Sequence, residues 1–166
     1  TMSEAIARRK RLADDLTVAI AESQLTLVYQ PIVEMQTNSI AGVEALIRWT
    51  HPVFGVIPPL EIVAVAEGYG LAKQFNEWVL LESCQQTKSW QRDGLPKIGV
   101  NVNISPTMYA EYDLVDSVRR VLRDTGLEAE YLTLEVTEDT TMRDIEASPG
   151  ILNSLNRLGV SLALDD

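Results

Sequence analysis

Apolar and polar residues alternate along this chain with two periods, one typical of helices and one typical of strands. Helical spacing predicts five helices, over residues 3–23, 60–67, 71–92, 113–125 and 149–158. Runs rich in β-branched and aromatic residues predict five strands, over residues 26–33, 39–49, 97–105, 131–138 and 160–166. Strands that alternate with helices favour a largely parallel α/β sheet, either a barrel or an open doubly wound sheet.

Proline and glycine mark the breaks between these elements. The stretch HPVFGVIPP at 51–59 is predicted to be a loop, and Gly126 is predicted to cap the helix before it. A chain of 166 residues is long enough for one domain with a sizeable core. An open sheet of five strands would be complete, whereas a closed eight-stranded barrel typically needs about 250 residues and would lack its last three strands here.

Charge and composition narrow the possible partners. The formal net charge is −10, from 14 Lys and Arg against 24 Asp and Glu, and it disfavours binding to duplex nucleic acid, although a small anion held through metal ions stays possible. No apolar run approaches the roughly 20 residues of a membrane span, and the basic stretch 8–11 interrupts any signal peptide, so we expect a cytoplasmic chain without membrane contact. The single cysteine, Cys84, is predicted to be structural.

Short oxygen-bearing side chains interrupt the predicted strands. They are Glu44, Asn101, Asn103, Glu135 and the pair Asp165 and Asp166. A buried ionised carboxylate is costly, so a strand that carries one must present it to a partner, to water or to a metal. Because the carboxyl ends of parallel strands form the site of α/β proteins, we expect these side chains to converge there.

The donor types indicate what such a site could bind. Carboxylates and amides without a histidine or thiol cluster suit hard cations such as magnesium, manganese or calcium and disfavour zinc. Two adjacent aspartates at a strand end suit a two-metal arrangement that activates water for attack on a phosphodiester. Any one of these acidic residues taken alone is better explained as a helix cap or a member of an ion pair, and it is their occurrence on four strands that favours a metal site; residue type and spacing leave both interpretations open.

Eight short motifs follow one another along the chain: YQPIV at 29–33, VEALIRW at 43–49, HP at 51–52, GVIPP at 55–59, AE at 66–67, VNIS at 102–105, LEVTE at 134–138 and LDD at 164–166. In this order and at this approximate spacing they resemble the EAL-domain family of cyclic di-GMP phosphodiesterases. The resemblance covers residues 25–166 and leaves residues 1–24 as a lead-in or linker helix. The resemblance implies a TIM-barrel-like fold, of which about five strands are present, and hydrolysis of the bacterial second messenger to pGpG with two magnesium or manganese ions.

The resemblance also implies residue roles. Glu44, Asn103, Glu135 and Asp165 match ligands of the first ion, and Asp165 with Asp166 would serve the second, so that catalysis by Glu44, Asp165 and Asp166 is metal-mediated. Gln30, Leu46 and Arg48 match positions beside the bound dinucleotide, with Arg48 on a phosphate, and Glu138 matches a supporting residue.

Two further polar residues need an assignment. Asn101 alternates with Asn103 and points to the same side, but the motif register favours Asn103 as the ligand. The single histidine, His51, is predicted to be structural and not a general base.

The family's later motifs, which the resemblance implies carry a catalytic lysine and a second-metal glutamate, are not among these residues. We therefore expect this portion alone to be inactive and, with strand edges exposed, to self-associate, for example as a homodimer. A non-catalytic cyclic di-GMP receptor and a dimerisation module are the alternatives, and an enolase-like lyase fits the carboxylates but not the ordered motifs. The lead-in helix is typical of a linker to an upstream sensor or cyclase domain.

Overall fold

The structure is a computed structural model that describes residues 1–105, 108, 113–137 and 149–165, with the backbone alone at Asp113, Thr137, Pro149 and Asp165. Within these ranges the helices are α1 (Met2–Ala21), α2 (Pro59–Gly68), α3 (Ala72–Arg92), α4 (Asp113–Thr125) and α5 (Pro149–Leu158). The strands are β1 (Thr26–Glu34), β2 (Ser39–His51), β3 (Gly55–Ile57), β4 (Gly99–Asn103), β5 (Leu132–Thr137) and β6 (Ser161–Asp165). A 3₁₀ turn, Ala129–Tyr131, precedes β5. The five predicted strands and five predicted helices are confirmed.

The strands form one mixed sheet in the order β1-β2-β4-β5-β6, with β3 paired to β2. β1 and β3 run antiparallel to β2, whereas β2, β4, β5 and β6 are parallel to their neighbours. Helices connect the parallel strands, so the carboxyl ends of β2, β4, β5 and β6 lie along one edge. The expected parallel sheet is therefore present, with an antiparallel hairpin at its start.

The prediction of a continuous loop over 51–59 is wrong at its centre. Gly55–Ile57 forms β3, and Trp49 pairs with Ile57 in register. A strand of three residues is too short for an alternating pattern, and the neighbouring glycine and prolines give a turn signal. Gly55 has a φ of 72°, a conformation that favours glycine, and it lies where the three-residue turn after β2 enters β3.

One face of the parallel strands packs into the core. Val100, Val102, Leu132 and Leu134 are fully buried in a cluster that includes apolar residues of α3 and α4. Because strand side chains alternate between faces, the residues between them occupy the opposite face. The core thus fixes which face of β4 and β5 carries Asn101, Asn103 and Glu135.

Helix α1 is part of this core. Leu12, Leu16 and Ala19 are fully buried, and α1 packs against α2 and α3. Burial also raises the pKa of the Cys84 thiol on α3 to about 12, as expected for a structural cysteine. Among the described residues, the helices are all too short or too polar to cross a lipid bilayer.

Candidate functional site

The register of the strands brings the predicted site residues onto one face of the sheet. Glu44 on β2 pairs with Asn101 on β4, and Asn103 pairs with Glu135 on β5. Paired positions point to the same face, and so do positions two residues apart. Glu44, Asn101, Asn103 and Glu135 therefore share a face. Glu44 is level with Asn101, whereas Glu135 is level with Asn103, two residues further along β4.

A cavity of about 340 Å³ opens at this face. Its polar wall contains Glu44, Asn103 and Glu135, and Ser105 lies at its edge after β4. The remaining wall is apolar and comes from β2, the α2 and α3 helices, and the end of β4: Ala45, Leu46, Ile47, Pro59, Leu60, Val63, Phe75, Val79 and Ile104. A few convergent polar groups in an apolar cavity are typical of a ligand site.

One hydrogen bond within the site joins two neighbouring strands. The Asn101 side-chain Nδ2 donates to Glu135 Oε1 at 2.8 Å. A carboxylate offers about four acceptor positions on its two oxygens, so this bond still allows Glu135 to bind a cation. The contact follows from the register, because Asn101 lies one step before Asn103 on the same face of β4.

A residue that the sequence analysis did not identify supports the end of β4. Asn76 on α3 is buried, donates from Nδ2 to the Ala72 carbonyl oxygen at 2.7 Å, and accepts from the Ser105 backbone N–H at 3.2 Å. The Ile104 N–H donates to the Glu135 carbonyl oxygen at 3.0 Å. Together these bonds hold the backbone that follows Asn103. The feature of the sequence that could have identified Asn76 is its position on the apolar face of α3, where a polar side chain needs a hydrogen-bond partner.

The structure also locates the residues predicted to lie beside a dinucleotide. Gln30 pairs with Glu44 across the β1–β2 hairpin, and Leu46 lines the cavity. Arg48 lies two positions beyond Leu46 on the same face, is exposed, and donates from Nη1 to the Ile47 carbonyl oxygen at 2.9 Å. Gln30 and Leu46 are thus brought beside Glu44, while Arg48 lies further along β2.

Two predicted residues, Glu138 and Asp166, lie outside the described residues. For Asp165 the structure gives the backbone, which pairs with Thr137 one step beyond the level of Glu135. Within the described ranges, no group of three or more histidine, cysteine, aspartate or glutamate side chains could hold a metal ion. The described donors at the cavity are two carboxylates and an amide, whose oxygens fit a hard cation and not zinc.

His51 has the structural contacts predicted for it. Its ring is buried, Nε2 lies 2.5 Å from Asp15 Oδ2, and Nδ1 accepts the backbone N–H groups of Val53 and Phe54 at 3.0 and 3.2 Å. Both ring nitrogens are therefore used to hold the β2–β3 turn against α1. This places His51 in the packing of the fold and not in the cavity wall.

Comparisons with known proteins identify the family. The EAL domain model matches residues 13–166, so this chain belongs to the EAL domain family. A relative from Pseudomonas aeruginosa, the bifunctional diguanylate cyclase/cyclic di-GMP phosphodiesterase MucR, is 44% identical over 156 residues, which are 94% of this chain and 23% of MucR. The cyclic di-GMP phosphodiesterase NbdA of the same organism is 37% identical over 156 residues, 94% of this chain and 20% of NbdA.

Solved structures confirm the fold prediction. The PaMucR phosphodiesterase in its c-di-GMP complex matches with a TM-score of 0.87 and 44% identity, over 94% of this chain and 63% of that chain. The Xanthomonas citri FimX EAL domain matches in fold with a TM-score of 0.83 and 22% identity, over 99% of this chain and 63% of that chain. The chain thus has the TIM-barrel-like EAL fold over part of that fold's length, and it spans about a fifth to a quarter of these curated relatives.

Proposed function

We propose that this chain is the N-terminal part of a domain that hydrolyses cyclic di-GMP to pGpG by two-metal catalysis. The observation that carries the proposal is the placement of Glu44, Asn103 and Glu135 on one cavity wall, on the same face of three adjacent strands. Membership of the EAL domain family and 44% identity to a relative named as a cyclic di-GMP phosphodiesterase support it.

The proposed ligands of the first ion are Glu44, Asn103, Glu135 and Asp165, and Asp165 with Asp166 would serve the second. Magnesium or manganese bound there would polarise the phosphodiester and lower the pKa of a water molecule. The chain's net charge of −10 would otherwise repel an anionic dinucleotide, so the carboxylates fit this ligand only when a cation neutralises them.

Other residues of the chain would hold the nucleotide. Arg48 is exposed beyond the cavity, and among the described residues the contact with the Ile47 carbonyl uses one of the five N–H groups of its guanidinium, so other donors would bind a phosphate. Gln30 and Leu46 lie beside Glu44 and would contact the dinucleotide, and Glu138 would support the metal ligands. The acidic and apolar walls would orient the scissile phosphate toward the strand ends.

We assign hydrolysis to the extended domain and not to these 166 residues alone. The resemblance implies a catalytic lysine and a further glutamate that are not among them, so the isolated chain would be inactive. We further propose a cytoplasmic location, where a nucleotide second messenger is available, self-association through exposed strand edges, and an upstream cyclase or sensor domain joined at α1. The name of the bifunctional relative MucR supports the cyclase.

The test is chromatographic detection of pGpG after incubation of cyclic di-GMP and magnesium with the chain extended through its native C-terminus. Glu44→Gln should abolish product, because the amide keeps the size of the side chain and removes its charge. Glu128→Gln, an exposed position outside the cavity, is the matched control and should retain activity. Binding of cyclic di-GMP without product would refute hydrolysis and support the receptor alternative instead.

A further inference from the structure

We propose that Asn101 is a positioning residue that orients the Glu135 carboxylate and thereby sets how tightly the site binds its divalent ion. The proposal rests on the function proposed above. Its basis is the 2.8 Å hydrogen bond from Asn101 Nδ2 to Glu135 Oε1, which joins β4 and β5 on the face of the sheet that also carries Asn103.

The register places Asn101 on the side of Glu135 that is further from the cavity. Asn103 is level with Glu135, whereas Asn101 is level with Thr133, one step closer to the amino ends of the strands. Among the described residues, the cavity wall includes Asn103 and Glu135 but not Asn101. Asn101 therefore contacts the carboxylate from the side away from the cavity, and among the described residues this bond uses one acceptor position on Oε1, so Glu135 would bind a cation from the cavity side.

The chemistry of the contact fixes the orientation of the amide. An ionised carboxylate is an acceptor only, so the Asn101 nitrogen and not its oxygen must face Glu135. The atom that contacts Glu135 is thus a donor and cannot be a metal ligand. This assigns Asn101 and Asn103 different tasks although they lie on the same face of the same strand.

A neutral donor suits this position for an electrostatic reason. Glu44 on β2 is level with Asn101, so the amide lies between strands that carry two carboxylates. An amide holds Glu135 in one rotamer without adding a positive charge that would compete with the ion. Partners that orient metal ligands in this way typically change metal affinity by about 10–100-fold when they are removed.

The experiment measures Mn²⁺ affinity of the full-length protein by calorimetry without nucleotide, with Glu135→Gln as the reference that lacks the ligand. Asn101→Leu keeps the approximate volume and removes the donor, and we expect its Mn²⁺ Kd to rise by about 10–100-fold. Asn101→Thr has a hydroxyl donor, so its Mn²⁺ Kd should lie between those of the wild type and Asn101→Leu. Thr133→Val, which removes a polar group at the paired position, is the control and should bind Mn²⁺ like the wild type.

Melting temperature in EDTA separates positioning from folding. A positioning role predicts that Asn101→Thr melts close to the wild type in EDTA while its Mn²⁺ Kd has risen. If a folded Asn101→Leu or Asn101→Thr protein binds Mn²⁺ like the wild type, Asn101 does not position Glu135. That result would leave the proposed metal function unaffected. If the wild type and Glu135→Gln bind Mn²⁺ equally, the proposed metal function itself is wrong.

Discussion

His51 and Asp15 join the end of β2 to helix α1 through a 2.5 Å contact between Nε2 and Oδ2. Because the Val53 and Phe54 N–H groups donate to Nδ1, the ring carries its proton on Nε2 and donates it to Asp15. The β2–β3 turn is thereby tied to a helix that precedes the sheet. The same β2 strand carries Glu44 and Leu46 in the cavity wall.

Asp15→Asn should reduce the free energy of unfolding by about 1 kcal/mol, since the amide oxygen can still accept from His51 but no longer carries a charge, and the 41% exposure of the Asp15 side chain limits the loss. Asp14→Asn, on the exposed side of the same helix, should change it by less than about 0.5 kcal/mol. Urea denaturation at neutral pH measures both. Equal effects of the two variants would show that the His51 contact contributes nothing.

The same pair predicts a pH dependence. The hydrogen bond from His51 lowers the pKa of Asp15. Its stabilisation is therefore present above the unfolded pKa of about 3.9 and is lost as the pH falls through the lower folded value. The stability difference between wild type and Asp15→Asn should shrink when denaturation is repeated below about pH 4. A difference that grows on acidification would contradict the assigned direction.

Asn76→Ala should lower the free energy of unfolding although Asn76 lies on a helix and not in the sheet. It leaves the Ser105 N–H without its acceptor and removes a buried side chain, with an expected cost of about 2–4 kcal/mol. Ser83→Ala on the same helix is the matched control, because among the described residues the buried Ser83 hydroxyl has no hydrogen-bond partner. Thermal and chemical denaturation should show the second variant unchanged or slightly stabilised. A similar loss in both would attribute the effect to packing of α3.

Much of the fold and of the cavity wall could be predicted from the sequence. Glu44, Asn103 and Glu135 stand out because a polar residue inside an apolar strand is rare and costly, and parallel strands bring their carboxyl ends together. The bond between Asn101 and Glu135 could not be predicted, because it depends on a diagonal step in the register that no single strand encodes. Asn76 was missed for a related reason, since its acceptor role exists only once α3 packs against the end of β4.

Gly99→Ala tests the close approach of β4 to the turn before β5. A Cβ at Gly99 would lie 2.8 Å from the Tyr131 carbonyl oxygen, and because this is a backbone atom the strands must separate. We expect a loss of about 1–3 kcal/mol in unfolding free energy. Gly68→Ala at the end of α2 meets nothing within 4 Å and should be neutral or stabilising by up to about 1 kcal/mol. A neutral Gly99→Ala would mean that the sheet accommodates the methyl group.

The match to the family begins at residue 13, whereas helix α1 begins at Met2. The first half of α1 nevertheless contacts the rest of the domain. Arg8 forms a two-point ion pair with Glu61 on α2, from Nε to Oε1 at 3.0 Å and from Nη2 to Oε2 at 3.1 Å. Its guanidinium also lies 4.8 Å from the centre of the Phe54 ring, and Phe54 stacks on His51. These contacts join the first turns of α1 to the β2–β3 turn and to the helix that forms one side of the cavity.

Arg8→Ala should therefore loosen the first half of α1 and not only remove a surface charge. We expect faster amide hydrogen exchange over residues 2–11 and a lower melting temperature than for Arg9→Ala, whose side chain is exposed on the same helix. Arg8→Lys keeps the charge but not the two-point geometry, so it should resemble Arg8→Ala more than the wild type. If all three variants exchange alike, residues 2–11 are only a linker. If Arg8→Ala and Arg8→Lys speed exchange and Arg9→Ala does not, the first half of α1 is docked on the domain through Arg8.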